Sequence, residues 1–275
     1  MMRSALVFVF VMLARLAHAQ DAAQVVLRLH PRVGDTLHTW LEQQTDVSAF
    51  MPGSAAGAAR SVTTSIAIHS RTIVRSVQQL STTVLTIVDS AKLTSTDAHA
   101  SKMISDTQRA LKGQQLTLQL CADGSVENAR DASGNNVPHD VADALSAMPA
   151  VFPRRAVAIG QKWMREMPLP SGGPFGARGS GHVRAVFHLD SLRKDGSVAY
   201  VSMHGDILPD SSSKGVELSG SIAGSMQLDR VRGWMTDSRI VITLTSLIAP
   251  PPSAGLAPMK FITRVTQRLR TMDKR

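Results

Sequence analysis

The chain has 275 residues, 43% of them hydrophobic and 4% aromatic, with 30 Lys and Arg against 21 Asp and Glu and a formal net charge of +9. One cysteine excludes an intrachain disulfide framework, and so few aromatics argue against the stacking platforms of single-strand nucleic-acid binders, so no nucleic-acid partner is expected. The apolar content is ordinary for a globular protein and suffices for one large core or two smaller ones.

Residues 1–19 read as a signal peptide. Arg3 supplies a positive start, Ser4 to Leu16 form an apolar run broken only by Arg15, and Ala17-His18-Ala19 gives a small-x-small processing site. Cleavage is expected between Ala19 and Gln20, which sends the mature chain to a periplasm or outside the cell. Gln20 stands where a lipoprotein would need cysteine. Losing Arg3 and Arg15 leaves the mature chain at about +7, and no later segment has the roughly 20 apolar residues of a spanning helix.

Residues 20–137 show period-two patterning with Val-, Ile- and Thr-rich segments Val62 to Val77, Thr82 to Leu93 and Gln115 to Cys121. Loops are expected at Ser48 to Ala59, Ser95 to Asp106 and Asp131 to His139. Leu116, Leu118 and Leu120 alternate and place Cys121 on the opposite strand face, as a small packed residue. Residues 138–153 break the alternation: Val141, Leu145 and Met148 share a helical face between Pro138 and Pro153, so one short central helix is expected over Asp140 to Val151.

Residues 154–248 return to strands at His182 to Leu189, Val198 to Ile207, Val216 to Leu228 and Arg239 to Leu247, with loops at Pro170 to Gly181 and Pro209 to Gly215. A Pro-rich loop follows at 249–258. Residues 259–275 carry Lys260, Arg264, Arg268, Arg270, Lys274 and Arg275 against one acid. As a helix this tail sets Ile262, Val265, Leu269 and Met272 opposite its cations and would suit a membrane surface. As a strand, which its threonines favour, it would be an edge strand whose Lys and Arg block aggregation.

The two sides of the expected helix look alike. Val33-Gly34-Asp35 leads through Leu37 to Trp40, and Ala158-Ile159-Gly160-Gln161-Lys162 leads to Trp163; each half closes on a hairpin turn, at Asp123-Gly124 and Arg232-Gly233. Trp40 lies six residues after its glycine and Trp163 only three, an odd difference that puts the indoles on opposite faces unless a bulge intervenes. The layout resembles uncharacterised exported bacterial β-proteins with duplicated Gly-Asp or Gly-x-x-Trp strand openings, and in architecture is similar to periplasmic lipoprotein carriers. That resemblance implies a mainly β fold, a curved antiparallel sheet or open barrel built from two similar halves, and brings no catalytic residues with it.

No motif names a reaction. Gly53-Ser54-Ala55-Ala56-Gly57 and Gly220-Ser221-Ile222-Ala223-Gly224 place serine one position early for a nucleophile elbow, and Ser191 to Lys194 and Ser211 to Lys214 lie in expected turns. His182 and His188 share a strand face but stand about 20 Å apart, too far for one ion; a cross-strand pair of His188 with His204 fits only loosely. Glu42 and Glu166 follow the two Trp-bearing openings and read as solvent-facing acids, with a Trp-plus-Glu sugar site as the alternative. Trp40 and Trp163 read as plugs at the ends of the core, and Trp234, after the turn at Gly233, as the indole best placed to be partly exposed.

These features point to a non-enzymatic exported envelope protein that binds an apolar or amphiphilic ligand, or a protein partner, without catalytic, cofactor or metal residues. Trp234, Lys260, Arg264, Arg268 and Arg270 are the candidate ligand or surface contacts, with lipid or an anionic envelope component as the partner and peripheral membrane contact available. The alternatives are a structural or assembly protein acting through sheet edges, and an envelope hydrolase with an unrecognised site.

Overall fold

A computed structural model describes residues 24–50, 59–137, 151–169, 181–209, 216–248 and 257–272. The signal peptide and the helix expected at Asp140 to Val151 lie outside these, apart from Val151. Strands β1 (Thr36–Phe50), β2 (Arg60–Val77) and β3 (Ser81–Ser95) come first, followed by helix α1 (Ser101–Leu111) and strands β4 (Gln115–Cys121) and β5 (Val126–Asp131). Then come β6 (Lys162–Pro168), β7 (Gly181–Arg193), β8 (Val198–Pro209), β9 (Val216–Asp229), β10 (Trp234–Ile248) and β11 (Met259–Met272). All pair antiparallel in one curved, unclosed sheet of order β5-β4-β3-β2-β1-β11-β10-β9-β8-β7-β6.

The two halves open on the same hydrogen-bonded turn. At Arg32–Asp35, the Asp35 amide donates to the Arg32 carbonyl while the Arg32 amide donates to the Asp35 carboxylate, at 3.1 and 3.0 Å. At Ala158–Gln161, the Gln161 amide donates to the Ala158 carbonyl and the Ala158 amide to the Gln161 side chain, at 3.0 and 3.1 Å. Gly34 and Gly160 occupy the same turn position at φ +89° and +85°, which a side chain would strain. Gly34 then donates to Val74 and receives its chain neighbour's bond in return, Val74 to Asp35; Gly160 and Gln161 do the same with Leu189. A bulge follows each, after Val74 and after Leu189. Strands β1–β5 therefore repeat as β6–β10, and β11 is the extra strand between them.

In that alignment Trp163 matches Leu37, and Trp40 matches Glu166. The indoles fall on opposite faces, as the odd spacing requires. Trp163 stacks on Phe187 at 5.7 Å on the interior face, with its Nε1 donating to the Val151 carbonyl at 2.8 Å. Trp40 packs edge-on against His69 on the outer face, so its expected role as a core plug is not what the fold uses.

The interior face carries two clusters. The larger runs through β6–β10, where Ala185, Phe187, Leu189, Ala199 and Leu228 are fully buried. The smaller is Val74, Val84 and Leu120, and Trp234 reaches it from β10. Trp234 is thus half-buried against the opposite half of the sheet. The segment before β1 seals the same end: Val25 pairs with Val157, the Leu29 amide donates to Ala122, the His30 amide to Gly233, and Leu27 is buried. Leu29 packs against both clusters.

Two expectations change. Ser95 to Asp106, expected as a loop, contains a 3-10 turn at Ala98–Ala100, whose His99 amide is capped by Asp97, and the start of α1. Strand β4 pairs only with residues 81–87 of β3, and α1 covers the edge left free beyond it, Gln108 accepting from the Leu93 amide at 3.2 Å. The second change concerns the C-terminal segment, which is a strand but the sixth of eleven, paired on both sides, rather than an edge. The motif at Gly220–Gly224 is strand β9: a Cβ at Gly220 would overlap the Thr243 carbonyl oxygen, and one at Gly224 would lie 2.5 Å from the Arg239 carbonyl oxygen. Glycine there lets β9 and β10 approach closely as the sheet bends. Gly220→Ala is expected to lower stability by about 2 kcal/mol or more, read as a fall in the urea midpoint with an unchanged slope; an unaltered midpoint would refute the close approach.

Candidate functional site

Register assigns every strand residue to a face. Across β11, β1, β2 and β3 the interior face presents the row Leu269, Leu41, Ile68 and Ala91, and next to it Gln267, Gln43, Ile66 and Leu93. All eight are half-buried, in contrast with the sealed interior of β7–β9. Toward the plugged end the patch meets a hydroxyl floor, where Thr72 and Thr86 share a hydrogen bond at 3.1 Å and Thr72 is buried. The interior face is therefore packed solid across β7–β9 and left half-open across β11 and β1–β3, where aliphatic side chains stand beside Gln43 and Gln267.

The outer face carries the charge. Lys260, Arg264, Arg268 and Arg270 all lie on it, two or four residues apart along β11, and so point away from the aliphatic patch. A basic rim around that patch is not what β11 provides. Arg268 pairs with Asp237 of β10 at 3.1 Å and Arg270 with Glu42 of β1 at 3.3 Å, both across strands on the diagonal. Both pairs are partly exposed and worth little for stability. Trp40 and Glu42 share the outer face, whereas Trp163 and Glu166 face opposite ways, so a duplicated Trp-plus-Glu site does not form. Glu166 instead pairs with Arg184 at 2.9 Å.

One acid, histidine and serine do converge. Asp190, set out by the β7 bulge, accepts from Ser202 Oγ at 2.8 Å and meets His188 Nδ1 at 2.5 Å. The order is wrong for a nucleophile, because serine donates to the carboxylate and leaves the imidazole without its proton to take. His188 lies opposite Ser202 and His204 opposite Val186, so the two histidines are not a direct cross-strand pair. Among the described residues no three His, Cys, Asp or Glu side chains gather as a metal site would require. Cys121 sits on the face opposite the three leucines, with its thiol 3.9 Å from Glu127.

No family model matches the sequence, and no curated protein resembles it significantly. Solved structures overlap weakly. DynF, from the dynemicin biosynthesis pathway of Micromonospora chersina, is 9% identical over 91% of this chain and 86% of its own, at a TM-score of 0.23. An outer membrane channel of Pseudomonas putida F1 is 12% identical over 89% and 97%, at 0.22. The outer membrane protein OprG of Pseudomonas aeruginosa is 9% identical over 89% and 98%, at 0.19. Scores this low do not establish a common fold.

The alternation along β11 has a direct chemical readout. In a Cys121→Ser background, cysteine at position 264 or 268 should react rapidly with a maleimide, and cysteine at 263 or 265 should react only on unfolding, since Thr263 and Val265 are 3% and 4% exposed. Uniform reactivity along the segment would contradict the register.

Proposed function

We propose that this is a non-enzymatic exported envelope protein that shelters the apolar chain of an amphiphile on the interior face of β1–β3 and β11. The observation that carries the reading is the contrast between halves of one continuous face. Phe187 and Leu189 are 0% exposed, while Leu41, Ile66, Ile68 and Leu93 stay half-open although they lie on the same side of the same sheet. A repeat that seals its own interior in one copy and not in the other has room for an apolar occupant in the second.

Burial supplies the driving force, at about 0.8 kcal/mol for each methylene removed from water, less the cost of ordering the chain. The outer face supports a protein that does not itself span a bilayer. Glu42, Asp46, Arg264 and Arg268 stand at mid-strand there, where a barrel wall would present an apolar band to lipid. Among the described residues no helix is long and apolar enough to cross a membrane.

A second reading, assembly through sheet edges, draws on β5 and β6. They are the two ends of the sheet and run the same way, so they cannot close antiparallel on each other, and each offers backbone groups to an added strand.

Native mass spectrometry of the mature protein, purified from its own envelope under gentle conditions, should show a bound species of acyl-lipid mass. The fluorophore N-phenyl-1-naphthylamine should compete for the same surface. Ile68→Thr, which keeps a β-branched side chain, is expected to weaken probe binding about five- to tenfold. A lipid-free protein that also ignores the probe would sink the carrier reading.

A further inference from the structure

We propose that a groove on the outer face, where the two halves meet at β11, binds a phosphoryl-bearing polyanion. The groove has a volume of about 560 Å³ and draws its walls from five adjacent strands, β3, β2, β1, β11 and β10. Small side chains form its floor, among them Ser65, Ala67 and Thr266, and long cationic ones, Lys92, Arg239 and Arg268, stand around it. Glu42 lines it as well, and these side chains lie on the face opposite the aliphatic patch, with which the groove shares the strand positions Gln43 and Ile66.

Arg239 and Arg268 are directly opposite each other on β10 and β11. Like charges in that position repel, and sheets ordinarily avoid them or set an acid between them. Here the nearby acids are already engaged. Glu42 holds Arg270, and Asp237 holds Arg268 from the diagonal position. Arg239 and Lys92 have no ion pair among the described residues, so the groove keeps unneutralised positive charge on both of its walls.

Directly opposite residues on neighbouring antiparallel strands hold their Cβ atoms about 4.5–5.5 Å apart. Two guanidinium forks at that spacing can share one tetrahedral oxyanion, each donating to a separate pair of oxygens, and a multiply charged group relieves their repulsion better than a single carboxylate. Lys92, three strands away from β11, adds a point charge that a second phosphoryl group of the same ligand would meet. The small residues between them leave the space that the anion needs.

The probes are inorganic tripolyphosphate, added to the mature protein in calorimetric titration and thermal melts, and phosphatidylglycerol vesicles compared with pure phosphatidylcholine vesicles. Tripolyphosphate should bind and raise the melting temperature. The double variant Arg239→Gln, Lys92→Gln should bind it about tenfold or more weakly, while Arg184→Gln, on β7 outside the groove, should bind as the parent does. Without ligand, Arg239→Gln should melt no lower than the parent, because it removes a repulsion, and this separates lost binding from lost folding. Variant-sensitive binding to phosphatidylglycerol vesicles alone would assign the phosphoryl group to a lipid headgroup; variant-sensitive binding of tripolyphosphate would assign it to a soluble ligand. Absence of binding to both, or binding unchanged in the double variant, would overturn the assignment.

Discussion

The structure depends on a parity constraint in antiparallel pairing. Strands β1 and β10, the inner edges of the two repeats, run in the same direction and cannot pair antiparallel with each other. A strand of opposite direction has to stand between them, and β11 does, with an uninterrupted ladder to each neighbour. It comes from the far end of the chain, after both repeats are complete. The pairing of β1 with β11 joins residues more than 200 positions apart, a closure whose entropy must be offset by thirteen aligned residue pairs and by burial of Thr263 and Val265. Everything on the interior and outer faces at the centre of the sheet is placed by that one strand.

What the chain reveals by itself is the part set by local rules. Period-two alternation in β7, β8 and β9 marks those strands because one face is buried and the other wet, and the burial pattern repeats the alternation. The Gly34 and Gly160 turns are visible because only a residue tolerant of positive φ suits them. Even the separation of Trp40 and Trp163 onto opposite faces follows from an odd count of residues. The placement of β11 at the centre could not be read in this way: its Thr- and Arg-rich alternation fits an edge as well as a centre, and the difference lies in a partner two hundred residues away.

Helix α1 was hidden for a related reason. Ser101–Leu111 is polar overall and buries none of its residues; its half-buried face is only Ile104, Gln108 and Leu111, a short stripe interrupted by a glutamine, and Ser, Thr and Asp in and before it favour turns. Its role is tertiary, to cover the β3 edge that the short β4 leaves open. Trp234 is partly exposed, as its place after the Gly233 turn suggests, and the part of it that is covered has a tertiary cause as well. A tryptophan just after a hairpin glycine has no local sign of burial, and it becomes half-buried only because the sheet curves far enough for β10 to reach Val74, Val84 and Leu120. The placements of α1 and Trp234 are therefore products of curvature and of long-range pairing.

The repeat also explains why chemistry differs between halves that share a backbone. The halves share the opening turn and the bulge after Val74 and Leu189, yet the same alignment sets Trp163 against Leu37 and Glu166 against Trp40. Backbone pairing constrains which way a side chain points but not its identity, so one copy can fill its interior with Phe187, Met203 and Met226 while the other keeps Leu41 and Ile68 half-open. The cost of that divergence falls on the open copy, which forgoes burial worth about 25 cal/mol for each Å² of apolar area left in water. The sealed copy, plugged by Leu27, Phe152 and Val157, offsets this cost, and the strand it shares with the open copy transmits its order across the sheet. A half-open aliphatic face is sustainable here because it is hydrogen-bonded, through β11, to a half that is closed.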